Sequence, residues 1–438
     1  MYDDDSLYWI WLSEKCGVAS KEFARLIGRF EDPFEIYRLE NEEIGAIDCV
    51  GERLKNALCR KSLENAYSIL KYCKRSGVDI ISYGDKRYPS RLKTLEDPPA
   101  VLYCLGRLPD FDKRLCIGIV GTRKISSYGI ESAYKMGYEL AAANVCVVSG
   151  MALGVDAVAA CGALEAGGDT VAVLGCGIDV VYPKAHTKLE QHIRKGGAVI
   201  TEYPPAEPPY GNNFPKRNRI ISGLCQGVLV VEGNRISGAM ITAQRAVDQG
   251  REVFALPGKI NESNSEGPNE LIKQGANVVL CSDDIILHYD FLYHDTIDYR
   301  GLRRAKSKSD YSPKTVRSYG VSTDVYFGAT VKDATQESES AVVKKSAMKK
   351  AGEPISYDGS ASAEINDGRE SSDSSAAALE GLDAVTRRVF ELMPIDRGVA
   401  PDEFTASGIG IAEAITALTM LELCGLVSSL PGGTYIRK

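Results

Sequence analysis

The sequence predicts an α/β protein built on a doubly wound parallel sheet, with a small helical domain before the sheet and a winged helix after it. Between residues 115 and 290, short apolar runs alternate regularly with amphipathic stretches, which is typical of parallel strands joined by crossover helices. Residues 1–80 carry only helical stripes of apolar side chains. Residues 376–438 carry three such stripes followed by a glycine-turn hairpin.

Composition limits the class of protein. The chain of 438 residues is 44% hydrophobic and 25% charged, with a net charge of −7, as expected of a globular protein. This charge argues against nonspecific polyelectrolyte binding but allows a local basic groove. The acidic N-terminus predicts no signal peptide, and no apolar run approaches the length of a membrane span. We therefore expect a cytoplasmic protein without a membrane segment.

Cysteine and histidine usage predicts no metal site. The chain has 12 cysteines, none in C-x-x-C spacing, and only four histidines. Cys116, Cys146 and Cys176 lie within apolar runs, so we interpret the cysteines as small core residues in a reducing compartment.

The helical region, residues 1–80, resembles a helix-hairpin-helix or SAM-like domain. A glycine, Gly51, separates two helical patterns near residues 47–54, and such a turn can offer backbone N–H groups to a DNA phosphate. Its acidic residues Asp48 and Glu52 favour the alternative, a small helical packing module. Prolines then interrupt residues 81–115, where Ala100–Leu105 predicts a strand that joins the next domain's sheet.

Seven strands and six helices are predicted between residues 115 and 290 of the central domain, which as a whole spans residues 81–290. The strands are Leu115–Val120, Val145–Ser149, Thr170–Leu174, Ala198–Thr201, Gly227–Val231, Glu252–Leu256 and Val278–Leu280. The helices are Gly129–Ala142, Val155–Glu165, Lys184–Lys195, Asn218–Leu224, Ala239–Gln249 and Asn269–Gln274. Ligands of such sheets bind outside the carboxyl ends of the strands, so the loops there are the candidate site.

The loop after the first of these strands suits a phosphate. Gly121 ends the apolar run, Thr122 and Arg123 follow, and Ser126 or Ser127 can cap the next helix. A helix N-terminus offers free N–H groups and a positive dipole end, and Arg123 adds a cation. The alternative is a tight turn with a surface arginine.

Other strand-end loops add cations and aromatic rings. Lys184, Lys216, Arg217 and Arg219 lie near predicted helix starts, where a cation opposes the helix dipole and therefore needs an anionic partner. A shared phosphate is one such partner, and ion pairs of the arginines with Glu202 or Glu232 are the alternative. Phe214 and Tyr182 can stack on bases or belong to the core.

Seven ordered motifs across about residues 85–285 resemble the DNA-processing protein A (DprA/Smf) family. They include the Gly-Thr-Arg turn, Tyr-Pro-Lys and Arg-Asn-Arg, and they are Gly118–Gly129, Ser149–Asp156, Ala172–Asp179 with Tyr182–Lys184, Phe214–Ile221, Val230–Glu232, Ser237–Gly238 with Thr242–Ala243, and Ala255–Gly258. One position departs: Ala160 stands where the family usually has histidine. This departure puts any role of that histidine in doubt, but not the phosphate-binding loops.

The resemblance implies an extended Rossmann-like fold that binds single-stranded DNA, forms a homodimer, protects incoming DNA and loads RecA recombinase in natural transformation. It implies DNA contacts by Arg123, Lys184, Arg217 and Arg219. Together with the strand-end loops, the predicted DNA-binding set is Gly121, Thr122, Arg123, Ser149, Gly150, Lys184, Phe214, Lys216, Arg217, Asn218 and Arg219. We expect no cofactor, no metal and no catalytic residue.

An enzyme is the rival class, because the sheet architecture also resembles the cytokinin-activating phosphoribohydrolases. That group has Pro-Gly-Gly-x-Gly-Thr followed by Glu where this chain has Ser237-Gly-Ala-Met-Ile-Thr-Ala-Gln244. The difference favours binding over hydrolysis of nucleotides.

Residues 300–375, rich in Ser, Asp, Glu and Lys, predict a disordered linker that is either a solvated tether or a source of weak DNA affinity. The family often carries a winged helix after such a linker. Residues 376–438 hold eight acidic and five basic residues, and their third helix has no Arg or Lys. A groove-reading helix needs such groups, so we favour a protein–protein role over duplex binding by a transcription regulator.

Overall fold

A computed structural model describes residues 6–308, 313–322, 383–394, 397–423, 426–430 and 434–437. The chain divides into two compact units, residues 1–344 and 345–438, and each is described by itself below. In the described part of the chain, no helix combines the length and the apolar character that a bilayer crossing requires.

A nine-stranded mixed sheet forms the centre of the first unit. The strands are β1 (Asp79–Ser82), β2 (Val101–Gly106), β3 (Cys116–Val120), β4 (Cys146–Ser149), β5 (Thr170–Val173), β6 (Gly197–Thr201), β7 (Gly227–Val230), β8 (Glu252–Ala255) and β9 (Asn277–Val278). Their order is β1-β2-β6-β5-β4-β3-β7-β8-β9. The pairs from β6 to β9 are all parallel, and β2 is antiparallel to both neighbours. The predicted doubly wound sheet is confirmed, and the strand expected at Ala100–Leu105 does join it.

Helices cover both faces of this sheet. They are α7 (Ser90–Lys93), α8 (Ser127–Ala142), α9 (Val155–Glu165), α10 (Thr187–Gly196), α11 (Asn213–Leu224), α12 (Gly238–Asp248), α13 (Glu266–Lys273) and α14 (Ser282–Tyr293), numbered after the six helices of the N-terminal region given below. α8, α9 and α10 bury apolar side chains in one core, and α11 and α12 bury theirs in a second core on the opposite face. Strands buried on both faces explain the continuous apolar runs of the sequence.

α11 begins earlier than the sequence predicts. The prediction starts this helix at Asn218, but it starts at Asn213 and includes Pro215. Pro215 lies in the first turn, where the N–H that proline lacks has no partner within the helix. The shift of five residues decides which side chains of α11 face the ligand edge of the sheet.

The N-terminal region is helical, as predicted. Its helices are α1 (Ser6–Cys16), α2 (Lys21–Phe30), α3 (Pro33–Arg38), α4 (Asn41–Gly45), α5 (Glu52–Leu58) and α6 (Glu64–Ser76). Leu7, Trp11 and Phe23 are almost fully buried, and they belong to the same core as the residues beneath α8 and α9. A side chain would fit at Gly51, because the atom nearest to its Cβ would be Glu22 Oε1, at 3.4 Å.

The chain continues to pack on the sheet domain after residue 290. Helices α15 (Tyr299–Ser307) and α16 (Pro313–Ser318) follow α14. The Asp298 N–H donates to Ala143 O at 2.9 Å, Val316 is fully buried, and Tyr319 OH donates to Glu165 Oε2 at 3.0 Å. The prediction that a linker begins at residue 300 is therefore wrong, because aliphatic and tyrosine side chains in this stretch pack on α8 and α9. The rest of the predicted linker, from residue 323 to 375, lies outside the described residues.

The second unit has the order of elements expected of a winged helix. It comprises α17 (Ala384–Leu392), a 3-10 helix (Pro401–Ser407), α18 (Ile411–Leu423), and an antiparallel hairpin of β10 (Val427–Leu430) and β11 (Thr434–Arg437). A separate core holds this unit together. The second of the three helical stripes in the sequence of this unit thus forms a short 3-10 helix.

Candidate nucleic-acid interface

A cleft of about 710 Å³ opens at the carboxyl ends of β3 and β7. The order of strands reverses here, because β4, β5 and β6 extend the sheet to one side of β3 and β7, β8 and β9 to the other. Sheets of this kind bind ligands at such a switch point. The cleft is lined by residues from five segments of the chain: Val120–Arg123; Ala152 and Asp156; Tyr182; Pro209 and Gly211 with the α11 residues Phe214, Pro215, Arg217, Asn218 and Ile221; and Asn234 with Ile236–Ala239, Ile241 and Thr242.

The Gly-Thr-Arg turn forms one wall of the cleft and is held on both sides. Thr122 N donates to Glu232 O at 2.7 Å, and Val155 N donates to Thr122 O at 3.2 Å. A side chain at Gly121 would meet Glu232 O at 2.8 Å, so only glycine fits between these segments. The turn therefore fixes the backbone of Arg123 while leaving its side chain exposed.

Arg123 lies over an aromatic ring at the cleft wall. Its Cζ is 5.7 Å from the centroid of Phe214, within cation–π distance. Phe214 also contacts the ring of Tyr182, with centroids 5.3 Å apart. Both aromatic residues line the cleft, and Tyr182 is 38% exposed, so Tyr182 belongs to the rim and not to the core.

Arg217 lines the cleft from beneath and is 5% exposed. Its Nη1 donates to Gly150 O at 2.8 Å and to Val173 O. Burial lowers the pKa of this guanidinium to about 10, against the opposing effect of the Asp156 carboxylate. Arg217 is therefore still charged at neutral pH, and its hydrogen bonds tie the loop after β4 to the end of β5.

Arg219 points away from the cleft. It is 2% exposed, and its Nη2 lies 2.5 Å from Glu202 Oε2 while its Nε lies 3.4 Å from Asp97 Oδ2. Burial alone would lower the pKa of Arg219, but the carboxylates of Glu202 and Asp97 outweigh this effect, so the pKa is raised. The predicted DNA contact by Arg219 is therefore corrected, and the ion-pair alternative with Glu202 is confirmed. Glu232, the other carboxylate considered, instead accepts from Ser126 N at 2.9 Å.

Ser149 and Gly150 form a closed loop under the cleft. Ser149 is 1% exposed and accepts from Met151 N at 3.3 Å. Gly150 N donates to Asp156 Oδ2 at 2.9 Å, and the Gly150 carbonyl accepts from Arg217 Nη1. A ligand in the cleft does not reach Ser149, so the prediction that Ser149 contacts DNA is also corrected: it buttresses the loop. Burial raises the pKa of Asp156, although Arg217 and the loop amides act in the opposite direction.

The remaining predicted residues are two exposed lysines, which do not line the cleft, and Asn218, which does. Lys184 is exposed and is the first residue of a 3-10 helix. His186, the last residue of this helix, contacts the loop after β4, with its Nδ1 3.0 Å from Met151 O. Lys216 is exposed on the first turn of α11 and does not line the cleft. Asn218 does line it, and its Oδ1 accepts from Arg217 Nε at 3.2 Å.

The predicted DNA-binding set does not include the wall formed by the β7–α12 loop, although one of the family motifs, Ser237–Gly238 with Thr242–Ala243, lies there. Asn234, Ile236, Ile241 and Thr242 line the cleft, and α12 begins at Gly238 after Ser237. Ile236 is 90% exposed and Ile241 is 41% exposed. This loop follows the strand that pairs with β3, so its position after a strand end was the signal that could have identified it.

The charge of the cleft favours an anion. Among the described residues that line it, Asp156 is the single acidic one, and it is turned toward Arg217 and two loop amides. Arg123 is exposed at the wall, and α12 begins at the opposite side, where the positive end of a helix dipole favours an anion. The arrangement combines a fixed cation, a helix N-terminus and exposed apolar side chains, which suits a phosphate that carries an apolar or aromatic group.

The hairpin of the helical region does not share these properties. The N–H of Gly51, at the turn before α5, donates to Glu22 Oε1 at 2.7 Å. A carboxylate from α2 thus occupies the donor that a DNA phosphate would use in a helix-hairpin-helix. This contact favours the packing-module alternative for the hairpin.

Comparison with known proteins agrees with these observations. Residues 79–290 match the family DNA recombination-mediator protein A, and residues 373–433 match the DprA winged helix domain. The chain is 37% identical to DNA processing protein DprA of Bacillus subtilis over 53% of this chain and 80% of the relative. It is 42% identical to DprA of Streptococcus pneumoniae over 47% of this chain and 73% of the relative.

A solved structure has a similar fold. The X-ray structure of DNA processing protein A from S. pneumoniae aligns with a TM-score of 0.56 at 34% identity and covers 66% of this chain and 98% of that chain. Identity of this level over most of the relative's length indicates common descent.

Proposed function

Because this chain belongs to the DNA recombination-mediator protein A family, we propose that it takes part in DNA processing by binding single-stranded DNA along the cleft at β3 and β7. The observation that carries the proposal is the convergence of the Gly-Thr-Arg turn, Phe214 and the N-terminus of α12 on one cleft with an exposed arginine. Phosphates would bind Arg123, Lys184 and main-chain N–H groups.

The rim supports single-stranded over duplex DNA. Tyr182, Ile236 and Ile241 expose apolar surface next to the cationic wall, and bases are available for such contacts only when they are unpaired. These side chains offer no base-specific donor set except the tyrosine hydroxyl, so we expect weak sequence preference.

We further propose that the bound strand is protected from nucleases and handed to RecA recombinase during transformation, and that the cleft binds without catalysing a reaction. Asp156 supports non-catalytic binding, because its carboxylate accepts hydrogen bonds from two backbone amides and interacts electrostatically with Arg217. A nuclease-protection assay, a RecA filament assay, and incubation with nucleotides to detect released base test these three proposals.

A homodimer is the third element of the proposal. Five exposed apolar side chains support it, on and beside edge strand β9 and helix α14: Val278, Leu280, Leu287, Phe291 and Leu292. Large exposed apolar patches on a protein surface often mark protein–protein contact sites.

The test of the main proposal is fluorescence anisotropy with labelled oligo-dT and with duplex DNA over a KCl series. We expect single strands to bind more tightly than duplex DNA. We expect Arg123→Ala to weaken binding about tenfold or more, because charge-assisted hydrogen bonds to phosphate are among the strongest hydrogen bonds in proteins. The slope of log affinity against log salt should fall by about 0.7, the value for one lost phosphate contact on a single strand.

The matched control is Arg303→Ala, which removes the same charge from an exposed position on α15. It should leave the affinity and the salt slope unchanged. Equal binding of duplex and single strand, or equal effects of the two arginine substitutions, would contradict the proposal.

A further inference from the structure

The third helix of the winged-helix unit, α18, presents a continuous exposed face with little polar chemistry. Ile411 is 50% exposed and Ile415 is 45% exposed. Ala412, Thr416 and Thr419 are exposed beside them, since residues three, four and seven apart share one face of a helix. The opposite face, with Ala414, Leu418 and Leu421, is buried in the core of the unit.

The two threonines on this face do not offer hydroxyl groups outward. Thr416 Oγ1 donates to Ala412 O at 2.8 Å, and Thr419 Oγ1 donates to Ile415 O at 2.8 Å. Each hydroxyl is therefore bonded to its own helix four residues back, and the methyl groups remain for contact. The face thus consists of two isoleucines, an alanine and two threonine methyl groups.

Such a face is unsuited to DNA. Reading base edges in the major groove requires side-chain donors and acceptors, and binding the duplex requires cations. α18 contains neither Arg nor Lys. Two arginines nearby in the unit are used internally: Arg397 Nη2 lies 2.8 Å from Glu403 Oε2, and Arg437 lies over the ring of Phe390, 3.9 Å from its centroid.

The charges on α18 are acidic and lie at the end and at the edge of the apolar face. Glu422 is exposed in line with Ile411 and Ile415, and Glu413 is exposed at the edge. A second copy of this face would bring like charges together in a symmetric contact. The surroundings instead complement a partner with basic residues beside its apolar ones.

We propose that this face of α18 binds an amphipathic helix of a partner protein, with apolar side chains spaced three or four residues apart and Lys or Arg on the flanks. Helix-in-groove recognition uses such spacing. None of the residues involved lines the cleft of the first unit.

The test uses the full-length protein and a fluorescent, stapled helical peptide with leucine at i, i+4 and i+7 and lysine at the flanking positions. A matched peptide carries glutamate in place of each lysine. We expect the basic peptide to bind at least about tenfold more tightly than the acidic one, and the double substitution Ile411→Ser with Ile415→Ser to weaken its binding about tenfold or more.

Val385→Ser is the control, since Val385 is 39% exposed on α17 and the substitution removes a comparable apolar group from another helix. It should leave peptide binding unchanged, and circular dichroism melting should be the same for all three proteins. The proposal is overturned if the basic peptide fails to bind, if both peptides bind alike, or if the double variant and the control behave alike. Loss of duplex-DNA binding or of self-association in the double variant would assign the face to those partners and would also overturn it.

Discussion

Replacing Arg219 with methionine should destabilise the first unit without acting directly on DNA. The guanidinium is 2% exposed, and its carboxylate partner Glu202 is 4% exposed. Asp97, the second carboxylate, lies 3.4 Å from Arg219 Nε. The Ala19 N–H also donates to Glu202 Oε1 at 3.2 Å, so the pair joins the N-terminal helices, the end of β6 and α11.

The magnitude follows from the burial of the pair. Removal of one partner of a buried ion pair costs about 3–5 kcal/mol, because it leaves an uncompensated buried charge. Domains are stable by only about 5–15 kcal/mol, so the loss is a large fraction of the total. With an unfolding entropy near 2 cal/mol/K per residue, it corresponds to a fall in Tm of about 5–8 °C for a unit of this size.

Urea unfolding followed by circular dichroism, with calorimetry for Tm, measures the loss. Arg123→Met is the matched control: it makes the same substitution at an exposed arginine, and we expect a stability change below about 0.5 kcal/mol together with a loss of single-strand affinity. Glu202→Gln added to Arg219→Met should recover part of the stability, because the buried negative charge is removed.

Two results would refute this reasoning. If Arg219→Met unfolds at the same urea concentration as the parent protein, the pair is not a stabilising one. If it retains its stability but loses DNA affinity as Arg123→Met does, Arg219 reaches the DNA after all.

Two further predictions concern the homodimer and the Gly-Thr-Arg turn. Phe291→Asp, at a side chain 96% exposed, should raise the dimer dissociation constant at least about tenfold; sedimentation equilibrium measures this, and an unchanged mass distribution would assign the dimer to another surface. Gly154 has φ +81°, and a side chain there would clash with Thr122 O. Gly154→Ala should therefore lower the free energy of unfolding, measured with urea, by about 1–3 kcal/mol. It should also weaken single-strand binding, because it displaces Arg123. Gly167→Ala is its control, since Gly167 has φ +70° and open space around it; an equal effect of both on DNA affinity would count against the contact with the turn.

Much of the fold was predictable because strand and helix periods are strong signals. α9 begins and ends where the sequence predicts. The predicted strands differ by a residue or two at their ends, and β1 was not predicted. The Gly-Thr-Arg turn was predictable too, because a glycine after a buried strand has few alternatives. These features depend on local sequence alone.

The side of α11 that faces the cleft was not predictable in the same way. The predicted helix begins at Asn218, which places Arg217 and Arg219 together at its start. In the structure they lie one turn further into the helix, and two residues apart on a helix point in different directions. Arg217 therefore reaches beneath the cleft and Arg219 reaches Glu202. The burial of Ser149 likewise depends on Asp156 and Arg217, which lie far from one another in sequence.

The shared core of the N-terminal helices and the sheet has a consequence for how members of this family can exchange parts. Trp9 lies against Gly84, where even a methyl group would come within 2.8 Å of its ring, and Phe23 contacts Tyr83 edge to face with centroids 5.6 Å apart. A helical region transplanted from a relative would place different aromatic side chains against a surface that is complementary to Trp9 and Phe23. Recombination of such genes at residue 80 should therefore yield chimaeras that fold poorly unless the 83–88 segment is transferred with the helices.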